Sequence, residues 1–393
     1  MPTRKGGEMS SRGAWTSGLP RVAVPLATMG VVALLAFGVG SAVGSPTGGW
    51  GWWGHSTQPA FSDLTNISLA NTVAANSTEV FAAGQTNCSQ IVGITPSGAV
   101  SIYATVPVQG LCQEGALALA PFTLPPITCT PTCNVTDVSS EQAGAWGHPP
   151  CGNHVNQTLY YVEHGDLFEI TDNGSIVSLV ATFPVPNKAS ENMGLTYDQV
   201  GMFDHDLIVT GSSGGRIWLV NQSGGVTLFD SLHTYIAGPS VAPSTFGSYG
   251  GDLIVAAKTL GQVDAINSSG AVSVVTNWTK AVGVAFQSSS GHGGCGGWGS
   301  GCSFGPNHDI FFLANYSSGA IEAFPASDFW GVYGQGIVAG GENNNVASFT
   351  PGGVTTLFAS GTERIGNIAF ITCFSGSGHY QWYPAAGHGW NAS

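Results

Sequence analysis

The sequence predicts an all-β fold, a six-bladed β-propeller closed by its C-terminal strand and preceded by one N-terminal transmembrane helix. Three observations carry this expectation. A hairpin-bearing unit recurs with a period of about 46 residues. Its strands alternate apolar and polar residues between glycine-containing turns. A single uncharged run of 23 residues, Val22 to Gly44, stands near the N-terminus.

The N-terminal elements come first. Residues 1–21 form a basic lead holding Arg4, Lys5, Arg12 and Arg21, four of the nine Lys and Arg residues of the chain. The run VAVPLATMGVVALLAFGVGSAVG (22–44) is about 34 Å long as a helix, enough to cross a bilayer core of roughly 30 Å. With the positive charge before it, the lead is expected in the cytoplasm and the remainder outside. A cleaved signal peptide is the alternative, since Ala42-Val43-Gly44 precedes Ser45 as a small-residue cleavage site. The length of the lead and of the apolar run favours the retained single-pass anchor. Residues 45–78 read as a Gly/Trp-rich linker and 374–393 as a flexible aromatic and glycine-rich tail.

The propeller is expected over 79–373. Hairpins of one pattern occur in SQIVGITPSGAVSIY (89–103), GDLFEITDNGSIVSLV (165–180), GRIWLVNQSGGVTLF (215–229), GQVDAINSSGAVSVV (261–275) and NNNVASFTPGGVTTLF (343–358). GAIEAF (319–324) begins a degenerate further copy. Upstream lie paired segments: GLTYDQ with HDLIVTG, SVAPST with GDLIVAA, GVAFQS with HDIFFLA. Adding these gives four strands per unit. The first unit starts at EVFAAG (79–84) with no inner strand before it, and GNIAF (366–370) is an inner strand with no unit after it. The spare strand is therefore expected to complete the first blade and close the ring.

The stretch ENMGLTYDQVGMFDHDLIVTGSSGGRIWLVNQSGGVTLF resembles the six-bladed propellers of the NHL, gluconolactonase and virginiamycin-lyase type. The likeness covers residues 79–373 and implies the fold more than any activity. In gluconolactonase-like proteins acidic and Asn side chains at the channel mouth hold a divalent cation. By that resemblance Glu114, Glu191 and Glu363, each just before an inner strand, are the metal ligands to consider, with Ca²⁺ as the ion and Asn192 and Asn367 as neighbours. Pro239 and Val282 stand at the corresponding place in two other blades and depart from the pattern.

Composition excludes some functions. Past residue 44 the chain has 5 basic against 21 acidic residues, a net charge of −16, which repels phosphate backbones and excludes nucleic acid as a partner. Only 8% of residues are charged, and full protonation of the exported part gives +15, so strong acid adds no repulsion beyond that at neutrality. An acid-tolerant surface protein is the expectation. Eleven Asn-x-Ser/Thr sequons occur where composition predicts about four. They start at Asn66, Asn76, Asn87, Asn134, Asn156, Asn173, Asn221, Asn267, Asn277, Asn315 and Asn391, and they mark an extracellular glycoprotein.

Eight cysteines, all past the apolar run, suit disulfides in an oxidising compartment. Cys88 with Cys112 and Cys295 with Cys302 are the short-range pairs. Cys129, Cys133 and Cys151 share one insertion, where Cys373 must find a partner; a zinc site with His148 and His154 is the weaker reading of that cluster. Asp206, Asp252 and Asp309 recur just before second strands and are expected to cap turns. No nucleophile elbow or phosphate-binding glycine loop occurs. The leading functional reading is a non-catalytic binding or cell-envelope module with a protein or carbohydrate partner. The alternative is an exported lactonase-like or lyase-like enzyme with a divalent cation at the channel mouth.

Overall fold

The computed structural model describes residues 62–66, 70–75, 79–84, 87–95, 98–108, 115–124, 158–286, 310–325, 334–341, 345–360 and 365–371. These form six four-stranded antiparallel sheets, the blades of a propeller. Blade 1 runs from its inner to its outer strand as β2 (Ala70–Ala75), β3 (Val80–Gly84), β4 (Gln90–Ile94) and β5 (Val100–Thr105). Blade 2 has β6 (Ala116–Ala120), β7 (Thr158–Glu163), β8 (Asp166–Thr171) and β9 (Ile176–Thr182). Blade 3 has β10 (Met193–Tyr197), β11 (Leu207–Gly211), β12 (Arg216–Val220) and β13 (Val226–Ser231). Blade 4 has β14 (Ile236–Val241), β15 (Leu253–Ala257), β16 (Gln262–Ile266) and β17 (Val272–Asn277).

The last two blades interleave. Blade 5 joins β18 (Ala281–Phe286) to β21 (Gly336–Gly340), β22 (Asn345–Thr350) and β23 (Gly353–Ser360). Blade 6 is built from β24 (Ile365–Ile371), β19 (Ile310–Asn315), β20 (Ala320–Pro325) and β1 (Ser62–Asn66). This corrects the expected succession in three respects. GVAF pairs with Gly336–Gly340 and not with HDIFFLA, because the 23 residues between β18 and β19 are ample to reach the neighbouring blade. The C-terminal strand does serve as an inner strand, but of blade 6. Blade 1 has its own inner strand, and both β1 and β2 come from the segment read as linker.

Burial explains the strand pattern. The second strands β3, β7, β11, β15 and β21 are buried at every residue, being flanked by neighbouring blades on both faces. The outer strands β5, β13 and β17 begin with three exposed residues each. Six apolar clusters fill the six blade-to-blade interfaces, including the closing one, where Phe312 and Ile321 of blade 6 meet Val73, Val80 and Ile94 of blade 1. Aromatic wedges anchor them. Trp218 lies 5.2 Å from Phe183 across blades 3 and 2, and Phe246, Phe286 and Phe349 meet edge to face between blades 4 and 5. Truncating such a ring to Ala costs about 3–5 kcal/mol.

The repeat is as regular in hydrogen bonds as in sequence. Gly165, Gly215 and Gly261, all left-handed, end the turns into the third strands. Each also accepts an N–H returning from just beyond the outer strand, from Phe183, Leu232 and Trp278 respectively. Among the described residues no helix is long and apolar enough to cross a membrane, and residues 22–44 lie outside that set.

The turn-capping expectation is corrected in blade 3. Asp198, not Asp206, is the cap: its Oδ1 accepts N–H bonds from Val200 (3.1 Å) and Gly201 (2.9 Å), its Oδ2 from Phe203 (2.6 Å) and His205 (3.3 Å). Asp206 lies just before β11, and burial, then the neighbouring Asp204 and Asp198 carboxylates, push its pKa up to about 6. Asp198→Ala is expected to cost about 2–4 kcal/mol by stranding those donors, whereas Asp206→Asn should raise stability at pH 7. Denaturant melts of the two variants decide which carboxylate holds the loop.

Candidate functional site

The inner strands surround the axis of the ring, and their first residues meet at one mouth. In blades 1, 4, 5 and 6 the inner strand carries a β-bulge there, at Asn71, Gly238-Pro239, Val282 and Gly366-Asn367. A bulge turns a side chain out of the ladder. The bulge residues Asn71, Gly238, Val282, Gly366 and Asn367, with Gly115 and Asn192 from blades 2 and 3, line an axial cavity.

That cavity is small, about 20 Å³, room for one water. Backbone crowding sets its size. Gly238 has φ +47°, and a Cβ there would stand 2.3 Å from Gly283 Cα and 2.5 Å from the Val282 carbonyl oxygen. A Cβ on Gly366 would meet the Asn71 carbonyl oxygen at 2.6 Å. Adjacent inner strands thus approach to a distance only glycine permits.

Among the described residues the polar lining is amide, not carboxylate. Asn192 donates its Nδ2–H to the Tyr235 hydroxyl, and Lys258 Nζ lies 5.2 Å from the Tyr235 ring centroid. Glu191 is 1% exposed but belongs to its own blade: its Oε1 accepts the Ser213 N–H at 2.7 Å and its Oε2 is buried with no hydrogen-bond partner. The turn after β11 thus holds one oxygen of Glu191, directly before the mouth residue Asn192. Glu114 and Glu363 lie outside the described residues. The affinity of a divalent cation follows the number of anionic ligands, and the described lining supplies amides. Among the described residues no group of three His, Cys, Asp or Glu side chains could hold a metal.

Four other buried acids each accept a hydrogen bond from a neutral donor, and Glu163 also lies 3.2 Å from His164 Nε2. Glu169 accepts bonds from Leu124 N–H (2.7 Å) and the Tyr160 hydroxyl (3.0 Å), and Glu163 from the Tyr161 hydroxyl (3.1 Å). Asn315 donates to Glu322 at 2.7 Å, and Gln262 to Asp264 at 2.8 Å. Burial raises the pKa of Glu169 and of Asp264, partly offset in each by these bonds, and raises both tyrosines.

Cys88 is 4% exposed and disulfide-bonded. Cys112, Cys129, Cys133, Cys151, Cys295, Cys302 and Cys373 lie outside the described residues, as do Asn76, Asn134, Asn156 and Asn391. Of the other sequon asparagines, Asn87, Asn173, Asn221 and Asn277 are exposed and Asn267 half-buried. Asn315 differs from these: it is 5% exposed, with its amide on Glu322 and its carbonyl on the Ser317 and Ser318 N–H groups. Sequence reasoning missed Asn71, hidden in a segment read as linker, and Tyr235 and Lys258, which no motif marks.

No protein-family model matches the sequence, and no curated protein does. Solved structures do. The chain is similar to a chain of a nidogen/laminin complex, at 10% identity over 77% of this chain and 85% of that one, TM-score 0.47. It is similar to virginiamycin B lyase from Staphylococcus aureus, at 12% identity over 73% and 69%, TM-score 0.41. A calcium-binding protein, regucalcin from Agrobacterium tumefaciens, matches at 10% identity over 76% and 77%, TM-score 0.42. This is a six-bladed β-propeller. The likenesses concern that fold alone, and the propeller's activity has to be argued from its own residues.

Proposed function

We propose that this propeller is an exported, glycosylated binding module, tethered to a membrane through residues 22–44, whose outer rim takes a protein or carbohydrate partner. The observation that carries the reading is a groove of about 540 Å³ between the outer strand of blade 1 and the hairpin of blade 2. Ile102, Tyr103, Thr105, Pro107, Ser175 and Val177 line it, and Ile102 is 59% exposed. Its volume falls in the range of ligand sites, about 300–1,000 Å³, and its wall joins apolar side chains to the edge of a strand. The axial cavity bounded by the described residues is smaller, about 20 Å³.

Binding of the purified propeller to envelope proteins and glycans from its own cells tests this. Ile102→Asp with Val177→Asp should weaken binding at least tenfold, while Asn192→Ala at the mouth leaves it unchanged. The reverse order, or Ca²⁺-dependent lactone hydrolysis that Asn192→Ala removes, would transfer the function to the channel and make the chain an enzyme.

A further inference from the structure

The hairpins of blades 3 and 4 hold their asparagines in one arrangement. Asn221 Oδ1 accepts from Ser223 N–H (3.1 Å), Ser223 Oγ (2.6 Å) and Gly225 N–H (2.8 Å). Asn267 Oδ1 accepts from Ser269 N–H (3.0 Å), Ser269 Oγ (2.7 Å) and Ala271 N–H (3.0 Å). The carbonyl side of each amide is therefore fixed. Neither Nδ2 donates a hydrogen bond within the described residues, and Asn221 is exposed while Asn267 is half-buried.

Immediately after each turn comes an edge strand of a kind that proteins usually protect. In β13, Val226 and Leu228 are 38% and 56% exposed; in β17, Val272 and Val274 are 48% and 51% exposed. VTLFDS and VSVVTN contain no Lys, Arg or Pro, and a single acid, Asp230. Charged side chains and prolines are the ordinary guards of such edges, and a chain with 8% charged residues has few to place there. Leu228 stands three residues past Gly225, about 10 Å along the strand.

We propose that Asn221 and Asn267 carry N-linked glycans that cover these two apolar edges, doing the work that charges do on other propellers, and that Asn315 carries none. In the modification Nδ2 attacks the anomeric carbon of a sugar carried as a glycosyl diphosphate. The C–N bond forms as the C–O bond to the diphosphate breaks. The diphosphate leaves with the electron pair, the amide proton passes to a base of the transferase, and nothing is oxidised or reduced. The inference rests on the exported reading above, since the glycosyl donor must meet the propeller outside the cytoplasm.

Site-resolved mass spectrometry of the protein from its source cells, combined with protease treatment of intact cells, tests the modification. Sugar is expected on Asn221 and Asn267 and not on Asn315. Bare Asn221 and Asn267 on a protease-accessible propeller overturn the proposal and leave export standing. Bare sites on a protected propeller overturn both. The covering role is tested by enzymatic trimming of the folded glycoprotein, followed by light scattering. Trimming should strengthen self-association at least tenfold, and Leu228→Lys with Val274→Lys should cancel that increase. Ser223→Ala with Ser269→Ala, which ends both sequons, should associate like the trimmed protein, and Ser→Thr at the same positions should not. A trimmed protein that stays monomeric over the same concentrations overturns the covering role.

Discussion

Lowering the pH from 7 to about 4.5 should raise the melting temperature of this domain, by about 3–5 °C. Most proteins lose stability in that direction, because their carboxylates are paired with cations whose attraction protonation destroys. Here the shifts run the other way. Burial raises the pKa of Glu79, Glu169, Asp252 and Asp264. Asp206 is pushed up to about 6, first by burial and then by Asp204 and Asp198. A carboxyl whose folded pKa exceeds its unfolded value binds more protons in the native state, so stability falls as pH rises through that window. For Asp206 the window runs from the unfolded 3.8 to about 6, and the full contribution is present below it. Thermal melts at the two pH values test the sign, and a lower melting temperature at pH 4.5 would contradict it. Asp206→Asn should raise stability at pH 7 and flatten part of the slope.

Gly238→Ala should produce a large loss for a single-methyl addition, about 3 kcal/mol or more. Two costs add. The residue sits at φ +47°, and the new Cβ would overlap Gly283 Cα and the Val282 carbonyl of the next inner strand. Backbone cannot rotate away as a side-chain tip does. Gly214→Ala separates the two costs, for it has φ +80° but nothing within 4 Å of its Cβ. That substitution should cost about 1–2 kcal/mol, the conformational part alone. Equal losses in denaturant titrations would mean that strand crowding is not what narrows the channel.

Much of this architecture is legible in the residues. Gly165, Gly215 and Gly261 mark turns that need a left-handed glycine, and the intervening strands alternate cleanly, so blades 2 to 4 read off directly. The blade boundaries at the chain ends do not. ANTVAA looks like linker because its alanines and asparagine carry little strand propensity, yet it becomes an inner strand once neighbours bury it. Nor does local pattern say whether AVGVAF should lie beside IFFLAN or GIVAG, since both are uniformly apolar; partner choice there is non-local. The site was half visible. Asn192 and Asn367 were marked by their place before or within inner strands, but which way Glu191 turns depends on a Ser213 N–H from the turn after β11.

The interleaving of blades 5 and 6 bears on how the molecule is made and unmade. Ser62 pairs with Ala323 and Ile310 with Ile371, so one sheet contains the earliest and the latest strands of the ring. That sheet cannot assemble until synthesis has passed residue 371, and contacts this distant in sequence form slowly. Until then β19 offers the edge that β24 will take to any other strand, a period of exposure to mispairing and strand exchange. Once shut, the clasp works in the opposite sense. Both termini are held in hydrogen-bonded ladders, so the lifetime of the folded ring should be governed by an unfolding rate more than by an equilibrium.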